Sequence, residues 1–146
     1  MTHAAFFSNS PEAIERVYAR SRREILEKEC RLYPVAITSA NLAEHLPALA
    51  DLEVIFSTWG MFAPADGQLS QMPNLKAVFY AAGSVQGFAR AFLERGVAVV
   101  SAWGANAVPV AEFTLAQILL ANKGYFRNIR DQRDEVTRKA AFVGKG

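Results

Sequence analysis

The chain has 146 residues, a formal charge of +2 and a hydrophobic share of 51%. That length suits one domain with its own core, since roughly 100–200 residues per domain is usual. So small a charge argues against a nucleic-acid partner, the lone Cys30 excludes an internal disulfide, and no run of about 18 consecutive apolar residues marks a membrane span.

A single cysteine fits a reducing, cytoplasmic setting, and Cys30 reads as a packing residue rather than a nucleophile. The opening residues have no basic region ahead of Phe6 and Phe7 and turn polar at Ser8, unlike a secretion signal. Arg20, Arg22 and Arg23 alternate with Glu15, Glu24, Glu27 and Glu29, the pattern of a solvated helix face.

In chain order, Ala4-Ala5-Phe6-Phe7 reads as a first strand. Ser10 is placed to cap a helix with Pro11 at its first position, and Ile14, Val17, Tyr18 and Ile25 recur at helical spacing as its buried face. Residues 31–35 form a weaker strand, which Pro34 assigns to a sheet edge. A short helix over 41–48 precedes a strand at 54–58 that runs into Trp59-Gly60-Met61. Further on come a short helix near 65–70, a strand at 77–81, a helix over 88–95 and a strand at 97–101. The strand runs are continuously apolar rather than alternating, which predicts a parallel sheet covered on both faces. Five strands with helical crossovers predict a doubly wound, flavodoxin-like α/β fold of strand order 2-1-3-4-5. In such sheets ligands bind outside the carboxyl ends of the strands, here Thr58-Trp59-Gly60, Ala81 to Ser84 and Ala102-Trp103-Gly104.

From Pro109 the pattern changes. Val110, Phe113, Leu115, Ile118, Leu119 and Leu120 place apolar side chains all around a helix, so a helix from Pro109 to Lys123 needs cover on every side. The division expected is a flavodoxin-like domain at 1–105, a long apolar helix at 106–126 and a charged linker at 127–146.

Three motifs in order carry a resemblance. Val78-Phe79-Tyr80-Ala81-Ala82-Gly83-Ser84-Val85 resembles the substrate-carboxylate loop of the D-isomer-specific 2-hydroxyacid dehydrogenases. Leu93-Glu94-Arg95-Gly96-Val97-Ala98-Val99 is similar to the approach to their next strand. Asn106-Ala107-Val108-Pro109-Val110-Ala111-Glu112 resembles their hinge-helix motif, and Phe56 to Gly60 matches the third-strand loop of one subgroup. The likeness covers essentially the whole chain but only the first part of such an enzyme, so it implies a chain that stops before the nucleotide-binding domain.

The resemblance implies that backbone N–H groups of Ala82, Gly83 and Ser84 hold a substrate carboxylate, because glycine admits close approach and strand-end amides form an anion nest. The plainer reading is a tight turn that needs its glycine for geometry alone. Asn106 would bring its amide near the same carboxylate, or else serve as a cap or turn former. Trp59 would roof the pocket or simply pack in the core. Ala107 would lie nearest the nicotinamide, and Glu112 would have a structural part. Where many relatives have an acidic residue after the glycine loop, this chain has Val85, Gln86 and Gly87.

Hydride transfer further requires a cofactor fingerprint and an acid/base, and neither is found. None of the nine glycines forms G-x-G-x-x-G, and the closing Gly144-x-Gly146 has no strand before it. His3 and His45 lie away from strand carboxyl ends, and no metal-ligand motif or nucleophile elbow occurs. The expected protein is therefore the substrate-binding half of a dehydrogenase for a small 2-oxo or 2-hydroxy acid. The intact enzyme would use NAD or NADP. This chain alone would bind neither cofactor, be inactive, and self-associate through its apolar helix, without membrane or nucleic-acid partners. The alternative is a freestanding, non-catalytic flavodoxin-like binding or interaction module.

Overall fold

The computed structural model describes residues 1–142, which fall into two compact units divided between Asn106 and Ala107. In the first unit, β1 (Thr2–Phe7), β2 (Cys30–Leu32), β3 (Val54–Ser57), β4 (Ala77–Tyr80) and β5 (Ala98–Ser101) form one sheet. Every pairing is parallel and the order is β2-β1-β3-β4-β5, as the apolar runs and crossover lengths predict. Crossovers are supplied by α1 (Pro11–Val17), α2 (Arg22–Glu29), α3 (Leu42–His45) with the 3-10 turn Leu46–Leu49, α4 (Asp66–Leu69) and α5 (Ala89–Leu93).

Alternation of side chains divides the strands between two faces. On one face Ala5, Ile55, Val78 and Val99 stand in register, and Phe7, Leu42, Leu49 and Phe92 pack with them in a closed core. Each such large side chain contributes about 1.5–3 kcal/mol on burial. The other face is less well covered than the continuous runs predict. Its register row is Phe6, Phe56, Phe79 and Val100. Phe6 is 2% exposed, with the Tyr18 ring 4.8 Å away, whereas Phe79 is 39% and Val100 47% exposed. A continuous apolar run reports that both faces avoid water in the finished molecule, not which element covers them.

Three local expectations change. The edge strand is Cys30–Leu32, so Pro34 and Val35 lie beyond it; proline can donate nothing to the ladder. The helix after Ser10 is two helices, because Arg20 (φ 56°) and Ser21 (φ 63°) turn left-handed between them, and Ile25 is consequently exposed. Ser10 makes no side-chain cap; its carbonyl accepts from the Ala13 N–H at 2.9 Å.

The long helix α6 (Trp103–Asn122) starts three residues before Asn106 and has Pro109 inside it. Proline lacks the N–H that would bond back one turn. Phe113 (66%), Ile118 (52%) and Leu119 are exposed. Among the described residues α6 is the one helix long and apolar enough to cross a membrane by length and composition. Gly124 (φ 70°) ends the run, and α7 (Tyr125–Asp131) follows. In α8 (Glu135–Phe142), Asp134 Oδ1 accepts from the Thr137 N–H at 2.8 Å in the manner of an N-cap. Gly144 and Gly146 lie outside the described residues.

Candidate functional site

Parallel pairing brings the loops after β1, β3, β4 and β5 to one edge of the sheet. The first two are locked together. Ser8, fully buried, donates from Oγ to the Trp59 carbonyl at 2.7 Å and accepts from the Ser10 N–H at 2.9 Å. The Asn9 N–H bonds to the Gly60 carbonyl at 2.8 Å. Gly60 is required twice over: its φ is +89°, and a Cβ there would stand 2.6 Å from Ser8 Oγ and 2.8 Å from Ser10 N. The Trp59 backbone is thereby fixed. Its ring is 47% exposed, with the Arg16 guanidinium 5.7 Å from its centroid, so Trp59 is not a core residue.

The β4 loop is held by its carbonyls. Thr58 Oγ1 donates to the Ala81 carbonyl at 3.3 Å, and Ser101 Oγ donates to those of Ala82 and Gly83. The Ala81 N–H is taken by the Ser57 carbonyl and the Ala102 N–H by the Tyr80 carbonyl. Among the described residues, no protein group accepts from the backbone N–H of Ala82, Gly83 or Ser84. The loop thus spends its acceptors on the scaffold and keeps its donors, which is the electrostatic pattern of an anion nest.

Asn106 comes to this loop through α6. Its N–H bonds to the Ala102 carbonyl at 3.0 Å, inside the helix, so it is not the helix cap. Its Nδ2 lies 3.0 Å from the point a Cβ on Gly83 would occupy. Gly83 φ lies outside the left-handed range, so close approach rather than backbone twist explains this glycine. Beyond the loop, α5 begins after Phe88 without a side-chain cap. Ala107 is exposed and opens the second unit, where Glu112 is exposed too.

The remaining reactive groups lie elsewhere. His3 sits toward the amino end of β1, its N–H bonded to Glu53 Oε2 at 3.1 Å, and lines a cleft of about 370 Å³ with Arg31, Tyr33 and Asp51. His45 Nδ1 is 2.9 Å from the Tyr33 hydroxyl. Burial, then Glu29 and Glu53, push the Cys30 thiol up, which keeps it protonated and unreactive near neutral pH. The sequence reading missed Arg16 and Ser8. Neither belongs to a recognisable motif: Ser8 reaches the Trp59 loop by hydrogen bonding and Arg16 by stacking on the Trp59 ring.

No protein-family model matches the sequence, and no curated protein matches it. Solved structures do match. The NAD-dependent formate dehydrogenase from Staphylococcus aureus, in complex with NAD, superposes with a TM-score of 0.58 at 22% identity, over 90% of this chain and 40% of that one. The phosphoglycerate oxidoreductase from Vibrio cholerae O395 gives 0.53 at 16% identity, over 89% and 41%. The chain spans about two-fifths of the length of these relatives, and what it shares with them is the parallel α/β fold.

Proposed function

We propose that this chain is the substrate-binding part of an NAD(P)-dependent D-2-hydroxyacid dehydrogenase. The observation that carries the reading is the β4 loop, where the amides of Ala82, Gly83 and Ser84 have no acceptor among the described residues and Asn106 lies against Gly83. Those donors suit the carboxylate of a small 2-oxo or 2-hydroxy acid, each charge-assisted N–H contact being stronger than a neutral one. The fold likeness to two oxidoreductases and the order of the three sequence motifs support the same reading.

The residues present do not fit a dinucleotide. The first strand-to-helix turn is Ser8-Asn9-Ser10, without the glycines that admit a pyrophosphate. The chain's part is accordingly to hold and orient the acid, with Trp59 beside it. NAD or NADP, near Ala107, belongs to the intact enzyme, and the chain alone is inactive. The exposed apolar surface of α6 supports a further element of the proposal: the chain self-associates through this helix rather than entering a membrane, Pro109 and Glu112 both lying within it.

An NMR titration of the 146-residue chain with oxamate, an unreactive 2-oxo acid analogue, tests this. The backbone amides of Ala82, Gly83 and Ser84 and the Asn106 side-chain amide should shift together and saturate. Saturable shifts elsewhere, or none, would overturn the reading in favour of a freestanding interaction module.

A further inference from the structure

Arg16 is a cation near this edge that has no acidic partner among the described residues. Its neighbour Arg23 is paired with Glu15 at 3.3 Å and Glu27 at 3.1 Å. Glu12, four residues before Arg16, has the helical spacing for a bridge, yet among the described residues Arg16 makes no ion pair or hydrogen bond. Its guanidinium lies over the Trp59 ring instead. That stack restrains the side chain without satisfying its charge or its planar donors.

The backbone that carries the ring is fixed, because Ser8 and Asn9 donate to the carbonyls of Trp59 and Gly60. The loop it stands on adjoins the β4 loop: Ser57 pairs with Tyr80, and Thr58 Oγ1 reaches the Ala81 carbonyl. Adjacent strands are about 4.8 Å apart, so the loops after β3 and β4 are immediate neighbours at this edge of the sheet.

We propose that Arg16, held on Trp59, is a specificity-determining residue that receives a second carboxylate at the far end of the substrate. The proposal rests on the β4-loop reading above. It makes the preferred ligand a 2-oxo or 2-hydroxy dicarboxylic acid, with one carboxylate on the amides of residues 82–84 and the other on Arg16.

The test is an NMR titration of the full chain with 2-oxoglutarate and with 2-oxohexanoate, which replaces the second carboxylate by an apolar end. It follows the amides of residues 82–84 and the Trp59 indole N–H. The diacid should bind about three- to tenfold more tightly, the range of a partly exposed charge pair. Arg16→Gln should bring that ratio to about one, and Arg16→Lys should keep part of it. Arg90→Gln, on α5, should leave it unchanged. A wild-type ratio of one, a preference for the apolar acid, or a diacid preference that survives Arg16→Gln would each overturn the assignment. If both acids shift residues 82–84 without discrimination, only the role of Arg16 falls. If neither shifts them, the reading of the loop falls first and takes Arg16 with it.

Discussion

Asn106 Nδ2 stands 3.0 Å from where a Cβ on Gly83 would be, so the two residues occupy the site as one unit. Gly83→Ala should leave the backbone unstrained and cost less than about 1 kcal/mol of stability, because the neighbour it meets is the amide end of a flexible side chain. It should nevertheless displace the amide and weaken oxamate binding several-fold. Asn106→Ala opens the space, so the stability costs of the two changes should be non-additive in a double-mutant cycle. Chemical denaturation with a parallel oxamate titration measures both, and strictly additive costs would show that the two side chains do not meet.

Gly60 presents the opposite case. With φ at +89° and Ser10 N only 2.8 Å from where a Cβ would stand, Gly60→Ala meets strain and backbone together. The expected loss is roughly 1–3 kcal/mol or more. Adding Ser8→Ala should not restore it, because the Ser10 backbone cannot move aside as a hydroxyl would. Urea midpoints of the single and double variants decide the matter; full rescue would place the clash at Ser8 alone.

Tyr18 makes stability depend on alkaline pH. Its hydroxyl donates to the Ser57 carbonyl at 3.1 Å, and burial pushes its pKa from 10.0 up to about 12. The folded value lies above the unfolded one, so the protonated phenol's contribution is complete below pH 10 and is lost as pH rises through about 12. Two pH units correspond to roughly 2–3 kcal/mol. Compared with the native chain, Tyr18→Phe should show a flatter fall in unfolding free energy between pH 10 and 12. Parallel curves would show that Tyr18 titrates normally.

The apolar surface of α6 should decide assembly. Phe113, Leu115, Ile118 and Leu119 are all exposed, and each fully buried side chain is worth about 1.5–3 kcal/mol. Light scattering at tens of micromolar should give at least a dimer, and the pair Phe113→Glu with Leu119→Lys should give a monomer with unchanged helicity. A native monomer would refute self-association. Vesicle flotation that captures the native chain and not the double variant would point to a membrane instead.

The sheet was legible because its information is local and redundant. Runs such as Val54-Ile55-Phe56 and Ala77-Val78-Phe79 read as strands, and helical crossovers of that length between them point to parallel neighbours. The motif around Gly83 pointed to the loop by its glycine, and Pro109 to Leu120 announced an apolar helix by composition. The tertiary structure decided what depends on contacts distant in sequence. It made Gly83 a matter of space rather than torsion, since Asn106, far along the chain, takes the room a Cβ would need. It broke the first helix at Arg20 and Ser21, where no glycine or proline gave warning, and left Ile25 exposed. It left Phe79 and Val100 open beside a covered Phe6, a difference periodicity cannot register because all three read as strand residues. It also set Arg16 on Trp59, a pairing across 43 positions that no spacing rule encodes, because it arises from the tertiary fold and not from either segment alone.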